Sequence, residues 1–485
     1  MRLRVPERLA RAHPLSQALV LGLRWAGRTP FGRTLGPAWY ERRARRIADE
    51  LVRLSGVEAV YLSGSALENP TLGYSDIDLM LVVELPSLAA ELRLRSELVS
   101  VLRRHNRPVE LFPHIDYVEA RDLDLVCRFV DAYSLRLERE WRLLAGYDRR
   151  RRTPRPSQRH AELVLLAAAL KHWIGQSNLL VEPHSTRGAD WHERTASRLL
   201  RGALGLWLGR TRAAPLDELL AAARERGPAS ETIERLSRAR TAPTPRLLLA
   251  AALEVLDAHA GRIVVPSTQP WPAVVRAPAP LAGLEFAELA RAARGSGFDG
   301  VDVVQRYPHS DQCLAFVTAP PEGAVDRLAA LCRELPALPA SRFGRATLPV
   351  LLTPRLRNAA ALFEPFPLLG AGWAARPAWT DGSCERPAAP ARADLKLLTR
   401  VALTTLFWRP RGRALRVWRE GDYGLGAMAR EVLDFAPELI ALDAGRPLDF
   451  SPRASPPLGE AALLERLRGL LDELRPRLHA ELGSG

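Results

Sequence analysis

Three short apolar runs rich in β-branched residues follow one another near the N-terminus, with one helix-like stretch among them. The runs are Val57–Leu62, Ile77–Val83 and Val109–Phe112, and the apolar residues of Leu88–His105 recur at helical spacing. Strands this short, interrupted by a helix, predict a small mixed sheet with helices. The fold class expected from this segment is α+β.

A Gly-Ser pair and two aspartates lie between the first two runs. Gly64 and Ser65 follow the first run, ten residues intervene, and Asp76 and Asp78 flank Ile77 where the second run begins. Gly64 lets the backbone approach a phosphate closely, and nearby backbone N–H groups and the Ser65 hydroxyl can donate hydrogen bonds to phosphate oxygens. The connection is therefore a candidate phosphate-binding turn.

The two aspartates are expected to share one face of the second strand. Successive strand residues point to opposite faces, so Asp76 and Asp78 project together, about 7 Å apart, whereas Ile77 points into the core. Paired carboxylates repel each other unless a cation lies between them, and such oxygen ligands suit Mg²⁺ or Mn²⁺. Glu110, within the third run, is the candidate third carboxylate of a two-metal site.

This segment resembles the signature of the nucleotidyltransferase superfamily with the DNA polymerase β-type fold, especially its minimal bacterial and aminoglycoside-modifying branches. The resemblance extends from the first apolar run to the third. It implies that Gly64 and Ser65 bind the nucleotide phosphates, and that Asp76, Asp78 and Glu110 are catalytic and bind Mg²⁺ or Mn²⁺. It also implies a helical domain after the catalytic one.

Changes in residue pattern divide the rest of the chain, which is long enough for several domains. The expected divisions are an N-terminal helical segment over 1–39, the nucleotidyltransferase domain over 40–145, a helical domain over 155–260, a possible α+β module over 263–364 and a C-terminal helical region over 393–485. The Gly-, Pro- and Trp-rich stretch 365–392 is expected to be loop. The residue pattern shows no internal repeat.

The chain has 69 basic and 55 acidic residues, and its formal net charge is +14. Such an excess suits a polyanionic partner such as RNA. Only Lys171 and Lys396 are lysines, however, and a chain rich in Arg, Ala and Pro is typical of a GC-rich genome. The net charge therefore identifies no partner by itself.

Neither membrane insertion nor a disulfide framework is indicated. The longest apolar run, Leu163–Leu170, ends at Lys171, well short of the roughly 18 residues that a membrane span needs. The N-terminus has no cleavage site typical of a signal peptide. The cysteines are widely separated and form no CxxC pair: Cys127, Cys313, Cys332 and Cys384. We therefore expect a cytoplasmic protein with no membrane partner.

Two further groups of residues have alternative interpretations. One contains His172, His184 and His192, with Glu182 and Glu193 nearby. It could bind a metal or supply a general base, but a solvated helix–loop–helix is the favoured interpretation. The basic stretch Arg149–Arg155 could bind phosphate or RNA, although a surface loop is favoured.

The sequence predicts an enzyme that transfers an NMP, with AMP favoured, from an NTP to a hydroxyl acceptor and releases pyrophosphate. The acceptor stays open among a small molecule, a protein side chain and an RNA end. The alternative is an antitoxin-like or scaffold protein, or a nucleotide sensor, in which the same domain binds a nucleotide or a partner without turnover.

Overall fold

The computed structural model describes residues 18, 22–23, 25–27, 29–63, 67, 70, 72, 76–105, 114–129, 141–149, 156–181, 189–209, 214–226, 231–238, 243–276, 284–305, 313–334, 349–363, 367–377, 379–381, 385–416, 422–450 and 458–480. In these ranges helices accompany two four-stranded sheets and one two-stranded sheet. The architecture is α+β, as the sequence predicted. None of the helices in these ranges combines the length and the apolar character that a membrane span requires.

The N-terminal part of the chain forms the first sheet and then a series of helices. Its elements are α1 (Pro30–Leu51), β1 (Val57–Ser63), β2 (Asp78–Val83), α2 (Leu88–His105), β3 (His114–Glu119), a 3₁₀ turn (Ala120–Asp122), α3 (Leu123–Arg128), β4 (Arg142–Gly146), α4 (Gln158–Val181), α5 (Ala189–Trp207), α6 (Leu216–Arg226), α7 (Glu231–Arg238) and α8 (Pro245–Ile263).

The C-terminal part forms the second sheet and another set of helices. Its elements are β5 (Val274–Arg276), α9 (Leu284–Gly295), β6 (Gly300–Gln305), β7 (Cys313–Thr318), α10 (Ala324–Glu334), β8 (Val350–Leu352), α11 (Pro354–Asn358), a 3₁₀ turn (Ala359–Leu362), α12 (Leu368–Ala375), β9 (Trp379–Thr380), α13 (Arg392–Thr405), α14 (Arg409–Leu415), α15 (Asp422–Ala429), a π-helical turn (Arg430–Phe435), α16 (Ala436–Asp443), β10 (Leu448–Asp449) and α17 (Glu460–Ala480).

A Thr-Pro pair begins several of these helices. Thr29, Thr244 and Thr353 are N-caps whose hydroxyl oxygens accept a hydrogen bond from the backbone N–H three residues later, at 3.0, 3.3 and 3.1 Å respectively. In each case a proline follows at the first helical position, where its missing N–H leaves no hydrogen bond unmade. The starts of α1, α8 and α11 are thus fixed by local sequence.

The chain divides into two compact units, each made of separate stretches of sequence. Unit 1 comprises Met1–Pro156, Leu403–Ala436 and Ser455–Gly485, and unit 2 comprises Ser157–Ala402 and Pro437–Ala454. The first sheet therefore shares its unit with helices from the C-terminal end of the chain.

The first sheet, in unit 1, has the strand order β3-β2-β1-β4. β1 is antiparallel to β2 and β4, whereas β2 is parallel to β3. One face forms a core against α1 and α2, with Ile77, Leu79, Ile115 and Tyr117 among its buried residues. Because side chains alternate along a strand, the residues between these project from the other face.

In unit 2, the helices α4–α8 and the second sheet share one hydrophobic core. This sheet has the order β8-β7-β6-β9. The buried indole of Trp173 in α4 donates a 2.8 Å hydrogen bond to the carbonyl of Leu351 in β8. A two-stranded parallel sheet of β5 and β10 completes the unit.

The two four-stranded sheets have the same topology, although the residue pattern had shown no internal repeat. In each, a helix leads to a first strand, an antiparallel second strand follows, and a helix returns to a third strand parallel to the second. Short helical turns then lead to a fourth strand, which pairs antiparallel with the first. The expectation of no internal repeat is therefore wrong.

The stretch expected to be loop contains α12 and β9. α12 is buried along almost its whole length despite its glycines. A Cβ at Gly370 would overlap the Trp271 ring and the backbone of Ala360. Glycine is therefore used here for close packing of a helix, which composition alone does not distinguish from a loop.

Candidate functional site

The paired aspartates lie where β2 begins. The Ser63 hydroxyl donates a 3.1 Å hydrogen bond to the Asp78 carbonyl, and the His114 N–H donates one of 2.9 Å to the Ile77 carbonyl. These bonds hold the start of β2 between β1 and β3. Ile77 is fully buried in the core, whereas the Asp76 side chain is 48% exposed.

A third carboxylate on the neighbouring strand belongs to Asp116. The parallel register pairs Asp78 with His114 and Met80 with Asp116. Paired residues share a face, and so do residues two apart on one strand, so Asp78, His114 and Asp116 project from the same face. β3 (His114–Glu119) is therefore the parallel neighbour of β2. It carries Asp116 two residues after His114, the residue that pairs with Asp78.

The other residues predicted for the site lie outside the described residues. They are Gly64, Ser65 and Glu110, together with the predicted strand Val109–Phe112. Their assignments stay predictions. Asp116 was missed by sequence reasoning, although the alternation of polar and apolar residues in His114–Glu119 is itself typical of a strand with one buried face.

Charges of both signs act on these carboxylates. The pKa of Asp78 is raised to about 6, chiefly by burial; the negative charges of Asp76 and Asp116 contribute to the rise, while His114 and Arg416 oppose it. Burial also raises the pKa of Asp116. The His114 Nε2 lies 3.5 Å from Asp76 Oδ2. The site is thus an anionic cluster in which Asp76 and Asp116 disfavour the ionisation of Asp78.

Helix α14, from the C-terminal part of the chain, packs directly on this cluster. A Cβ at Gly412 would overlap Asp116 Oδ1, so only glycine leaves room for the carboxylate. The positive charges of Arg416, Arg413 and Arg409 all act to lower the pKa of Asp116. No sequence pattern links these arginines to residues some 300 positions earlier.

Buried ion pairs attach α14 to the first sheet. Arg411 is fully buried; its Nε donates to Glu91 at 3.0 Å and its guanidinium donates to Glu119 at 2.7 Å and to the Phe407 carbonyl at 2.8 Å. The Tyr117 hydroxyl also donates to Glu91, at 2.9 Å. Burial acts to raise the pKa of Glu91, but Arg411 and its other donors bring that pKa below its ordinary value.

Helix α17 is attached to the same sheet by two further arginines. Arg475 donates two hydrogen bonds to the fully buried Asp122, at 2.6 and 3.1 Å. Arg468 donates to Glu91 at 3.1 Å. Asp122 lies in the 3₁₀ turn before α3 and is a buried ion-pair partner.

The remaining candidates are the histidine group and the basic stretch that begins at Arg149. His172 lies on α4 and His192 on α5, whereas Glu182 and His184 lie outside the described residues. Arg149 is paired with Glu58, with 3.0 Å between Nε and Oε2. A cleft of about 480 Å³ at the opposite end of β2 is lined by residues other than the three aspartates.

In the described part of the chain, no three His, Cys, Asp or Glu side chains form a ready metal-binding group, and this includes the acidic cluster. Carboxylates are nevertheless the donors that Mg²⁺ prefers. Mg²⁺ commonly uses one or two carboxylates and takes its other ligands from water and substrate phosphates. The chemistry of Asp76, Asp78 and Asp116 therefore suits such an ion bound together with a nucleotide.

No family model matches the chain, and no curated protein shows significant sequence similarity to it. Among solved structures, the chain is similar to the spectinomycin adenyltransferase AAD(9) from Enterococcus faecialis, crystallised with ATP and spectinomycin. The TM-score is 0.29 and the identity 13%, over 46% of this chain and 98% of the other. A similarity this low does not establish a shared fold or function.

Proposed function

We propose that this chain is a nucleotidyltransferase that transfers an NMP, with AMP favoured, from an NTP to a hydroxyl acceptor and releases pyrophosphate. The observation that carries the proposal is the convergence of Asp76, Asp78 and Asp116 where β2 and β3 lie side by side. A buried carboxylate whose ionisation is disfavoured by two neighbouring carboxylates is a natural place for a divalent cation.

Asp76 and Asp78 are the residues that would hold Mg²⁺ or Mn²⁺. Asp116 takes the role that the sequence suggested for Glu110, as a ligand of a second ion or as the base for the acceptor hydroxyl. Bound Mg²⁺ would supply positive charge next to the phosphates. Burial raises the pKa of Asp116, which makes its carboxylate a stronger proton acceptor for the acceptor hydroxyl.

The surrounding residues position these carboxylates. Ser63 and His114 fix the backbone at the start of β2 through the hydrogen bonds described above. His114 also lies beside Asp76 and restrains that side chain. Gly64 and Ser65 are proposed to bind phosphate oxygens, on the basis of their resemblance to the superfamily signature.

The test is to incubate the purified protein with each α-³²P-labelled NTP and Mg²⁺, alone and with cell extract. Wild-type protein is expected to transfer label to an acceptor, and Asp78→Asn and Asp116→Asn are expected to abolish the transfer. Labelling by ATP alone would identify AMP as the transferred group. Binding of NTP without any transfer would reject the enzyme in favour of a sensor or scaffold.

A further inference from the structure

Local sequence similarity accompanies the shared topology of the two sheets. The first strand of each begins within a similar segment, Gly-Val-Glu-Ala-Val at Gly56–Val60 and Gly-Val-Asp-Val-Val at Gly300–Val304. The second begins within Ser-Asp-Ile-Asp-Leu at Ser75–Leu79 and Ser-Asp-Gln-Cys-Leu at Ser310–Leu314. Cys313 therefore occupies the position of Asp78.

The strand register identifies the counterpart of Asp116. Leu81, three residues after Asp78, pairs with Tyr117, and Phe316, three residues after Cys313, pairs with Val350. The residue before Tyr117 is Asp116, and the residue before Val350 is Pro349. The second sheet thus has Cys313 and Pro349 where the first has Asp78 and Asp116, while Asp311 matches Asp76 in the sequence.

The C-terminal part of the chain nevertheless supplies cationic groups to the first sheet. Arg409, Gly412, Arg413 and Arg416 follow the i, i+3, i+4, i+7 spacing that places residues on one helix face. Gly412 on that face abuts Asp116. The arginines of this face are therefore directed towards the acidic cluster, while Arg411 enters the buried ion pairs.

This arrangement has a chemical use beyond neutralising the carboxylates. Guanidinium groups match the geometry of phosphate oxygens, and charge-assisted hydrogen bonds to phosphate are among the strong ones in proteins. Arg413 retains 28% of its side-chain exposure while lying 3.6 Å from Glu431. Arg409 and Arg416 are likewise partly exposed, so an incoming anion can reach this face.

We propose that α14 is the phosphate-binding helix of the acidic site, with Arg409, Arg413 and Arg416 binding the β- and γ-phosphates of the NTP. The inference rests on the proposed function and extends it. In the reaction, the acceptor oxygen bonds to the α-phosphorus while the bond from that phosphorus to the pyrophosphate oxygen breaks. Pyrophosphate leaves with the electron pair, the acceptor proton passes to a carboxylate, and the arginines stabilise the departing charge.

The first test compares the affinities of ATP·Mg²⁺, AMP and metal-free inorganic pyrophosphate for wild-type protein and the variants Arg409→Gln, Arg413→Gln and Arg416→Gln. Each is expected to weaken ATP and pyrophosphate binding about tenfold, which corresponds to one lost charge-assisted contact, and to leave AMP binding unchanged. Arg416→Lys should restore part of the loss. Arg45→Gln, on an exposed arginine of α1, is the matched control for the loss of one charge.

A variant that carries all three substitutions, Arg409→Gln, Arg413→Gln and Arg416→Gln, can contradict the proposal. If this variant has the wild-type unfolding temperature and the wild-type affinity for ATP and pyrophosphate, the proposal is wrong. Should Arg413→Gln unfold the protein because its contact with Glu431 is lost, Arg409→Gln and Arg416→Gln still decide the question. Arginine-dependent pyrophosphate binding without nucleotide transfer would keep the anion site and reject the proposed enzyme instead.

Discussion

The first and second sheets share strand order and pairing but differ at the edge where the second strand begins. The first has Asp78 and Asp116 there, and the second has Cys313 and Pro349. Burial and like charges raise the pKa of Asp78, whereas Cys313 is a buried side chain without a formal charge. A sheet of the same topology is therefore built without carboxylates at these two positions, which supports the proposal that Asp78 and Asp116 serve binding rather than folding.

The sheets also differ in how their buried acids are paired. In the second sheet, Asp302 forms an ion pair with Arg357 at 2.8 Å, and both residues belong to unit 2. Among the arginines that the structure describes, Arg357 is the one that pairs with Asp302. In the first, Arg411 pairs with both Glu91 and Glu119. Arg411 lies far from these acids in sequence, so the first sheet depends on the C-terminal part of the chain to neutralise its interior.

The largest expected effect is a loss of activity, and it distinguishes the start of the second strand in the first sheet from the same position in the second sheet. Asp78→Asn should lower the rate of nucleotidyl transfer by at least about 10²-fold, because a carboxylate that is proposed to bind the cation is lost. Cys313→Ala, at the equivalent position of the second sheet, should leave the rate unchanged. Label transfer under saturating NTP measures both. A comparable loss in Cys313→Ala would show that the second sheet takes part in the chemistry.

Local patterns predicted many of the elements but not the relations between them. The periodicity of Leu88–His105 gave the bounds of α2 because the apolar face of this helix is continuous. β3 was missed because its histidine and acids gave His114–Glu119 a polar composition. The pairing that brings Asp116 beside Asp78 depends on sheet register, which no local pattern specifies.

The sequence revealed neither the shared topology of the two sheets nor the position of the arginines of α14, and the reasons differ. The connection after β1 spans 64–77, whereas that after β6 spans only 306–312. The similar segments are therefore spaced differently in the two halves, and the connection after β6 has no Gly-Ser pair. The arginines of α14 stand in a chain already rich in arginine, so composition does not single them out. Only the approach of Gly412 to Asp116 shows where they act.

The second expected effect is on stability and tests the dependence on the C-terminal part. Arg411→Met should lower the free energy of unfolding by about 3–5 kcal/mol, since it leaves Glu91 and Glu119 buried without that partner. Arg45→Met breaks a pair whose side chains are 61% and 38% exposed and should change stability by less than about 1 kcal/mol. Urea unfolding measures both. Equal small effects would mean that Arg411 does not hold the sheet and α14 together.

The third expected effect concerns the cost of the carboxylate cluster itself. Asp78→Asn should raise the free energy of unfolding at pH 7 by about 1–3 kcal/mol, because it removes a charge disfavoured by burial and by its neighbours. The folded-state pKa of about 6 lies above the ordinary value of 3.8, so the contribution of Asp78 to the free energy of unfolding falls as the pH rises from about 4 to 6. The gain should therefore vanish below about pH 4.

Thermal unfolding across this pH range, without divalent cations, measures that difference. Cys313→Ala is the matched control: it keeps Asp78 and removes no carboxylate, so its stability difference from wild type should not change over this pH range. Added Mg²⁺ should stabilise wild-type protein more than Asp78→Asn. A variant less stable than wild type at pH 7 would show that Asp78 is held by favourable interactions instead.

The smallest expected effect is on stability: alanine substitutions at two helical glycines of unit 1 should change the free energy of unfolding in opposite directions. Gly426→Ala in α15 meets only the end of the Arg430 side chain, at 3.8 Å, so it should stabilise the protein by up to about 1 kcal/mol through helix propensity. Gly412→Ala has the same propensity gain, but its Cβ would overlap Asp116 Oδ1 and displace α14. Overpacking of this kind costs about 1–3 kcal/mol, so a net loss is expected. Thermal unfolding and pyrophosphate affinity of the two variants test whether α14 packs against Asp116. If both variants gain stability and bind pyrophosphate as wild type does, the close approach of α14 to the acidic cluster is wrong.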